Sequence, residues 1–325
     1  MLTGRRRPPR AALQSGHRVP IASRIAAALA RMTPTASPAT RAADIAQDLD
    51  AARVRGPLQQ IVVPPCPVLL QRLQAALAAA EPDLAEVARI AGSDVAMSAT
   101  LIRNASGAQF AGYQPAQTVG QAMTRLGLQQ TAAVMTGFLA RHALPVNSPH
   151  LARFWERSGK RALAMDFLAR QLPGLSPDLA YTYGLFAHVG QPVLLQSVKG
   201  YGGTLVEAQA RRDRTFVATE NANHRTDHAV VGALVARVWR LAPAVMAAIR
   251  LHHDLATLGD RGAEPEVHTL VAAGLVAEHL MRRHEGLDAE CEWLDHAAGA
   301  LAWLQVTDDE VDAWEEALHP LLDAA

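Results

Sequence analysis

The strongest constraint on this chain is the spacing of its apolar residues. From Val68 to the end they return every three or four positions, and no stretch alternates with period two in Val, Ile and Thr. Val68, Leu69, Leu73, Ala76, Leu77 and Ala80 mark one helical face. Leu84, Val87, Ala88 and Ala91 mark a second, with Pro82 in its opening turn, and Met97, Leu101 and Ile102 a third that Asp94 caps. A helix follows from Thr118, breaks at Gly127 and resumes through Val134, Met135, Phe138 and Leu139. A long amphipathic helix turns Phe154, Trp155, Leu163, Phe167 and Leu168 inward and stops at Pro173-Gly174. "DLAYTYGLFAHVGQPVLLQSV" is apolar nearly all round and reads as one buried central helix. The fold class is therefore all-α, helix packed on helix.

Punctuation and charge divide the chain. Residues 1–43 carry eight arginines (Arg5, Arg6, Arg7, Arg10, Arg18, Arg24, Arg31, Arg41) and no acid, and "RMTPTASPATRAA" reads as linker. Residues 1–56 are thus an Arg-rich, largely disordered leader and linker, with Met32 an alternative start and a short helix ending near Gly56. A nucleic-acid role for this arm is testable by removing it, but the zero net charge of the whole chain argues against nucleic acid or membrane as a general partner. After His284 there are many acids and no Lys or Arg, and Trp293, Trp303 and Trp314 need apolar surroundings. Residues 259–325 are expected as a helical extension packed on the core of residues 57–258.

No apolar run is long enough to span a bilayer, and the N-terminus lacks the apolar stretch of a secretory signal. Cys66 and Cys291 stand far apart in no metal-ligand spacing, which suits a reducing compartment. A cytoplasmic protein is expected.

Histidine carries the only unusual pattern of ionisable groups. Of thirteen, five matter: His188 within the buried helix, His224 in a polar loop, His228 opening a helix, and the pair His252-His253 followed by Asp254. Imidazoles and a carboxylate converging from several helices are what a metal-dependent phosphohydrolase needs, because the cation lowers the pKa of a bound water and clamps phosphate oxygens. Core or helix-end histidines bonded to backbone have the same spacing. "GYGG" at Gly200–Gly203 has no preceding strand and no lysine, so it reads as a flexible loop, and Ser158 has no elbow motif.

Several of these segments together resemble the HDOD family, the output-type relatives of HD-domain phosphohydrolases. "VPPCPVLLQRLQAAL" is similar to the family's Pro-rich opening, "EVARIAGSDVAMSATLIRNA" to its helix pair, and "TVGQAMTRLGLQQTAAVM" and "FWERSGKRALAMDFLAR" to the helices after it. "GLFAHVGQPVLL" matches its "GLLHDIG" frame, and "TDHAVVGALVARVWRLAPAVMAAIRLHHD" its long closing motif. The likeness runs from Ile61 to Leu255, with Ala105-Ser106-Gly107 a departure.

The resemblance implies a multi-helix bundle of HD-superfamily type with additional C-terminal helices. It also places the first ligand of an active HD site at Arg157 and the His-Asp doublet at Ala187-His188, while His228 and His252-His253 fit the later histidines of the branch that cleaves cyclic dinucleotides. The set is degenerate: no catalytic residue, metal or cofactor is assigned. Arg157, His188, His228, His252, His253 and Asp254 are expected to line a vestigial pocket. HDOD proteins are thought to act as regulators in bacterial signalling, which implies a protein partner, or a nucleotide or phosphate as ligand, and no enzymatic activity. The alternative is a phosphohydrolase with an altered ligand set, its metal held by His188, His228 and one of the pair.

Overall fold

The computed structural model describes residues 41–54, 57–107, 110, 112–211, 213–259 and 264–323. Most of the Arg-rich leader, with Met32, lies outside the described residues. The first described helix, α1 (Ala42–Val54), buries Ile45 and Leu49 and packs on two helices late in the chain, residues 228–238 and 243–251.

A first layer follows: α2 (Val68–Ala78), α3 (Leu84–Ala91), α4 (Val95–Asn104) and the long α5 (Val119–Ala143). The local chemistry explains each start. The Asp83 carboxylate accepts from the Glu86 N–H, and the Asp94 carboxylate from the Ala96 and Met97 N–H groups at 2.7 and 2.9 Å. Pro82 therefore precedes the cap of α3 and is not within its opening turn. The expected break at Gly127 is a kink within α5, where its φ of 76° lies in the left-handed region. Leu70, Leu73, Val87, Ile90, Met97 and Leu101 close this layer's core.

The second layer holds α6 (Phe154–Gln171), α7 (Pro177–Phe186), α8 (Gly190–Ser197), α9 (Tyr201–Ala210), α10 (Phe216–His224), α11 (His228–Val238) and α12 (Pro243–Leu251). Helix α6 packs along α7, and α11 along both α8 and α12. The Pro-rich segment before α2 is tied to this layer, since the buried Trp239 indole donates to the Pro64 carbonyl at 2.9 Å.

Three further expectations differ from the structure. The single buried helix expected over residues 178–198 is two, α7 and α8, joined by a turn at Ala187–Val189 that places His188 between them. Pro192 sits in the first turn of α8, where its missing N–H costs no intrahelical bond. "GYGG" is not a loop: Gly200 at φ 85° caps α9, and Tyr201 to Gly203 form its first turn. His224 ends α10, where its Nε2 meets the Thr204 hydroxyl at 2.8 Å.

Beyond residue 259 come α13 (Pro265–His284), α14 (Cys291–Leu304) and α15 (Asp308–Asp323). Helix α13 lies against α6 and α12, and α14 and α15 lie against α13. Trp314 is buried, the Trp303 indole donates to Thr269 at 3.1 Å, and the Trp293 ring stacks on His279 at 3.7 Å. No strand occurs among the described residues.

Candidate functional site

Glycine explains why the turn at His188 sits where it does. A Cβ on Gly190 would lie 2.1 Å from the His228 carbonyl oxygen, and one on Gly184 2.7 Å from the Arg161 carbonyl. The two glycines that frame "GLFAHVG" thus let α7 approach α6 and α8 approach α11 at backbone contact. This close approach brings His188 beside the N-terminus of α11 and the C-terminus of α12.

Four imidazoles meet there. Nitrogens of His188, His228, His252 and His253 all lie within 4.8 Å of one another. The His188 ring centroid is 5.1 Å from that of His228 and 5.3 Å from that of His252. His228 Nδ1 lies 2.7 Å from the Glu220 carboxylate, which is buried and also accepts from the Tyr201 hydroxyl. His252 Nδ1 donates to the Ile249 carbonyl at 2.7 Å, and its Nε2 is buried without a protein partner. His253 Nδ1 contacts both oxygens of Glu292 at 2.7 and 2.8 Å, and its Nε2 lies 3.2 Å from His228 Nε2.

Electrostatics splits the four. Burial drives the pKa of His188 and His252 well below the usual imidazole value, with Arg161 and the neighbouring imidazoles adding to it, so both are neutral. Burial opposes charge on His253 as well, but Glu292, with Glu220 and Asp227 behind it, outweighs that and lifts it to about 9. Without other ligands, a protonated His253 donates to Glu292 on one side and to His228 Nε2 on the other. Burial likewise opposes charge on Glu220, yet His228 and Tyr201 together bring its pKa below the usual carboxylate value.

Beside the imidazoles lies a second charge cluster. Arg157 donates to Glu278 at 2.8 Å and pairs with Glu285 at 2.9 Å, while Arg161 holds the other Glu278 oxygen through two contacts of 3.1 and 2.8 Å. Burial works against the Glu278 charge, and Arg161 and Arg157 more than reverse that, taking its pKa down to about 2. Both clusters line one cavity of about 700 Å³, with six arginines and three glutamates on its walls. Ser158 Oγ and Arg214 Nε, on the same walls, are buried without a protein partner.

Of the residues singled out from sequence, Arg157, His188, His228, His252 and His253 line this cavity. Asp254 does not: it pairs with Arg250 at 2.8 Å and is not among the lining residues. The residues missed were Arg161, Glu220, Glu278 and Glu292. Glu278 left a signal, because it falls on the face of α13 that also carries Val267, Leu270, Val271, Gly274 and Met281. An acid on an otherwise apolar face needs a counter-charge. Glu220 and Glu292 sit in polar stretches where nothing sets them apart.

The resemblance to HD hydrolases implies a metal set built on an aspartate, and the residues present do not fit it. The resemblance places the doublet at Ala187-His188 and the first ligand at Arg157, whose guanidinium is bound by two glutamates. A carboxylate that bridges or anchors hydrolytic metals is missing from the four-imidazole group.

Comparison with solved structures shows the fold. An HDOD domain protein of unknown function from Geobacter sulfurreducens superposes with a TM-score of 0.63 at 18% identity, covering 87% of this chain and 97% of that one. A candidate signal transduction protein from Marinobacter aquaeolei VT8 gives 0.68 at 17% identity, over 89% and 66% of the two chains. A candidate metal-dependent phosphohydrolase from Shewanella amazonensis SB2B gives 0.58 at 20% identity, over 86% and 99%. An uncharacterized protein of Treponema pallidum (strain Nichols) is 24% identical over 198 residues, 59% of this chain, which spans only 38% of that relative's length. The HDOD domain model matches residues 63–255, from the Pro-rich opening through both histidines of the pair. By that match, which takes in more than half its length, the chain belongs to the HDOD domain family.

Proposed function

We propose that this protein is a non-enzymatic signalling module of the bacterial cytoplasm that binds a small anionic ligand, a nucleotide or phosphate, in the His/Arg cavity and passes the binding state to a protein partner. The observation that carries the reading is a four-imidazole group without a carboxylate ligand, with Ala187-His188 where the resemblance puts the HD doublet and Arg157 held by Glu278 and Glu285. Hydrolysis of a phosphoester by two metals needs an anionic ligand between them, and neutral imidazoles do not supply it.

Three features support an anionic ligand. The walls carry three more arginines than glutamates, Arg214 Nε is a buried donor with no protein acceptor, and Ser158 offers a free hydroxyl. A guanidinium donor left unsatisfied at a cavity wall favours a phosphate or carboxylate oxygen in front of it. Among the described residues no helix is long and apolar enough to cross a membrane, and the two cysteines are unpaired, as suits a reducing compartment. Residues beyond 258, which supply Glu278 and Glu292 to the cavity, act as part of the sensing unit on this reading.

The test combines turnover and binding. The full chain is incubated with a chromogenic phosphodiester, a phosphomonoester and cyclic di-GMP in the presence of Mg²⁺, Mn²⁺, Fe²⁺, Ni²⁺ or Zn²⁺, and no product is expected. Metal-dependent turnover that disappears in His228→Ala and His253→Ala would overturn the reading in favour of a hydrolase. Calorimetric titration with phosphate, GMP and cyclic di-GMP is expected to show one of them binding, more weakly to Arg214→Ala by about tenfold, the loss of one charge-assisted contact.

A further inference from the structure

We infer that His188, His228, His252 and His253 form a mononuclear site for a late first-row divalent cation, zinc the probe of choice, closed by imidazole alone. This site differs in composition and nuclearity from the His-Asp arrangement that the residues fail to fit, and it does not depend on the anion reading.

The tautomers point to it first. A carbonyl only accepts, so His252 holds its proton on Nδ1 and turns the Nε2 lone pair inward. The carboxylates of Glu220 and Glu292 hold the Nδ1 protons of His228 and His253 in the same way. Three imidazoles therefore aim Nε2 at one point, His253 once a cation displaces the proton it shares with His228, each with its other nitrogen anchored by a carbonyl or carboxylate. This outer arrangement is the one that orients metal-ligating histidines and raises their basicity.

Distance agrees. Two nitrogens bound to tetrahedral zinc at about 2.0–2.1 Å lie roughly 3.3 Å apart, and His228 Nε2 and His253 Nε2 are 3.2 Å apart. One ligand nitrogen from each of the four imidazoles lies within 4.8 Å of the other three. His252 Nε2 is buried with no protein partner, a cost that a bound cation removes.

Charge agrees too. Glu220 is 0% and Glu292 8% exposed, two buried carboxylates directly behind the imidazoles, and a dication on neutral histidines balances them. Nitrogen-only coordination selects borderline cations over magnesium or calcium. With four protein ligands no position stays open for water, which makes the site one for structure or sensing and not for hydrolysis. Because Glu292 belongs to α14, occupancy would tie the C-terminal helices to the HDOD segment.

A second histidine group, His284 with His319 and Asp323, lies at the surface and serves as the control. The full chain, stripped with EDTA and desalted, is titrated with ZnCl₂ by calorimetry and with CoCl₂ by visible absorption. One tight zinc per chain is expected, with the strong ligand-field bands of four-coordinate cobalt. His252→Gln and His228→Gln, which keep much of the volume but offer no imidazole, are expected to weaken binding at least a hundredfold. Glu292→Gln, acting through His253, is expected to weaken it by about 10–100-fold, and His319→Ala to leave it unchanged. Wild-type protein that takes up no zinc at micromolar concentration overturns the inference, as do weak six-coordinate cobalt bands. So does undiminished binding by His252→Gln, or loss of the tight ion in His319→Ala.

Discussion

Between Val68 and Ala143 the buried interior is almost entirely hydrocarbon, with Gln130 and Thr131 its only buried polar side chains among the described residues. Between Ser158 and Glu292 the interior holds Arg161, Asp166, Glu220, Asp227, His228, His268 and Glu292. The two regions share a chain, a helical period and a density of apolar residues, yet they are held differently. The first depends on volume, since a helix face of Leu70, Leu73, Val87 and Ile90 is satisfied by any close-packed neighbour. The second depends on matched charge: Arg161 meets Glu278, Glu220 meets His228, and Glu292 meets His253. Of these, Arg161, His228 and Glu292 line the cavity, and Glu220 stands behind His228.

The comparison breaks most severely at the backbone contact beneath the histidines. Gly190→Ala places a Cβ 2.1 Å from the His228 carbonyl and 2.7 Å from the Gly232 nitrogen, neither of which can rotate away. We expect a loss exceeding about 3 kcal/mol, beyond ordinary overpacking, read by urea unfolding or as absence of soluble protein. Removing an ion comes next. Glu278→Ala leaves Arg157 and Arg161 without their shared carboxylate and is expected to cost about 3 kcal/mol, measured by the urea midpoint at pH 7.

Acid sharpens the contrast. The Glu278 pKa is lowered from 4.5 to about 2, so its ion pairs contribute fully above pH 4.5 and are lost as pH falls through about 2. His279 is lowered from 6.5 to about 4, first by burial and then by Arg283; its contribution is complete above pH 6.5 and declines as pH falls toward 4. Thermal melts between pH 7 and pH 3 should show a falling Tm in the wild type and a shallower fall in Glu278→Gln. The smallest effect belongs to the hydrocarbon region: Ile90→Val should cost about 1 kcal/mol, equal at pH 7 and pH 5. A pH-dependent cost there would erase the distinction between the two regions.

Legibility in the sequence followed the same division. The helices of the first region, the cap at Asp94 and the kink at Gly127 were readable because each depends on neighbours within a few residues. The histidines of the site were readable as candidates for the same reason, since His228 starts one helix and His252-His253 end another. Their partners were not. Glu292 is 39 residues from His253, and Glu278 is 117 from Arg161, so no local pattern links them. Asp254 shows the opposite error: adjacent to the pair in sequence, it turns to Arg250 because one step at a helix end changes the direction of the side chain. The single helix expected across His188 was two because periodicity registers burial, and a tight turn between two buried helices is buried as well.

What the sequence determined by itself was therefore the all-helical class and the HDOD likeness, both properties of residue identity and short-range spacing. Only the tertiary structure decided that four imidazoles meet, that Glu220 and Glu292 hold Nδ1 of His228 and His253, and that a C-terminal helix supplies one of those carboxylates. The physical reason is range. Helical period and caps arise from interactions across three or four residues, whereas a buried charge is tolerated only where a distant segment delivers its partner.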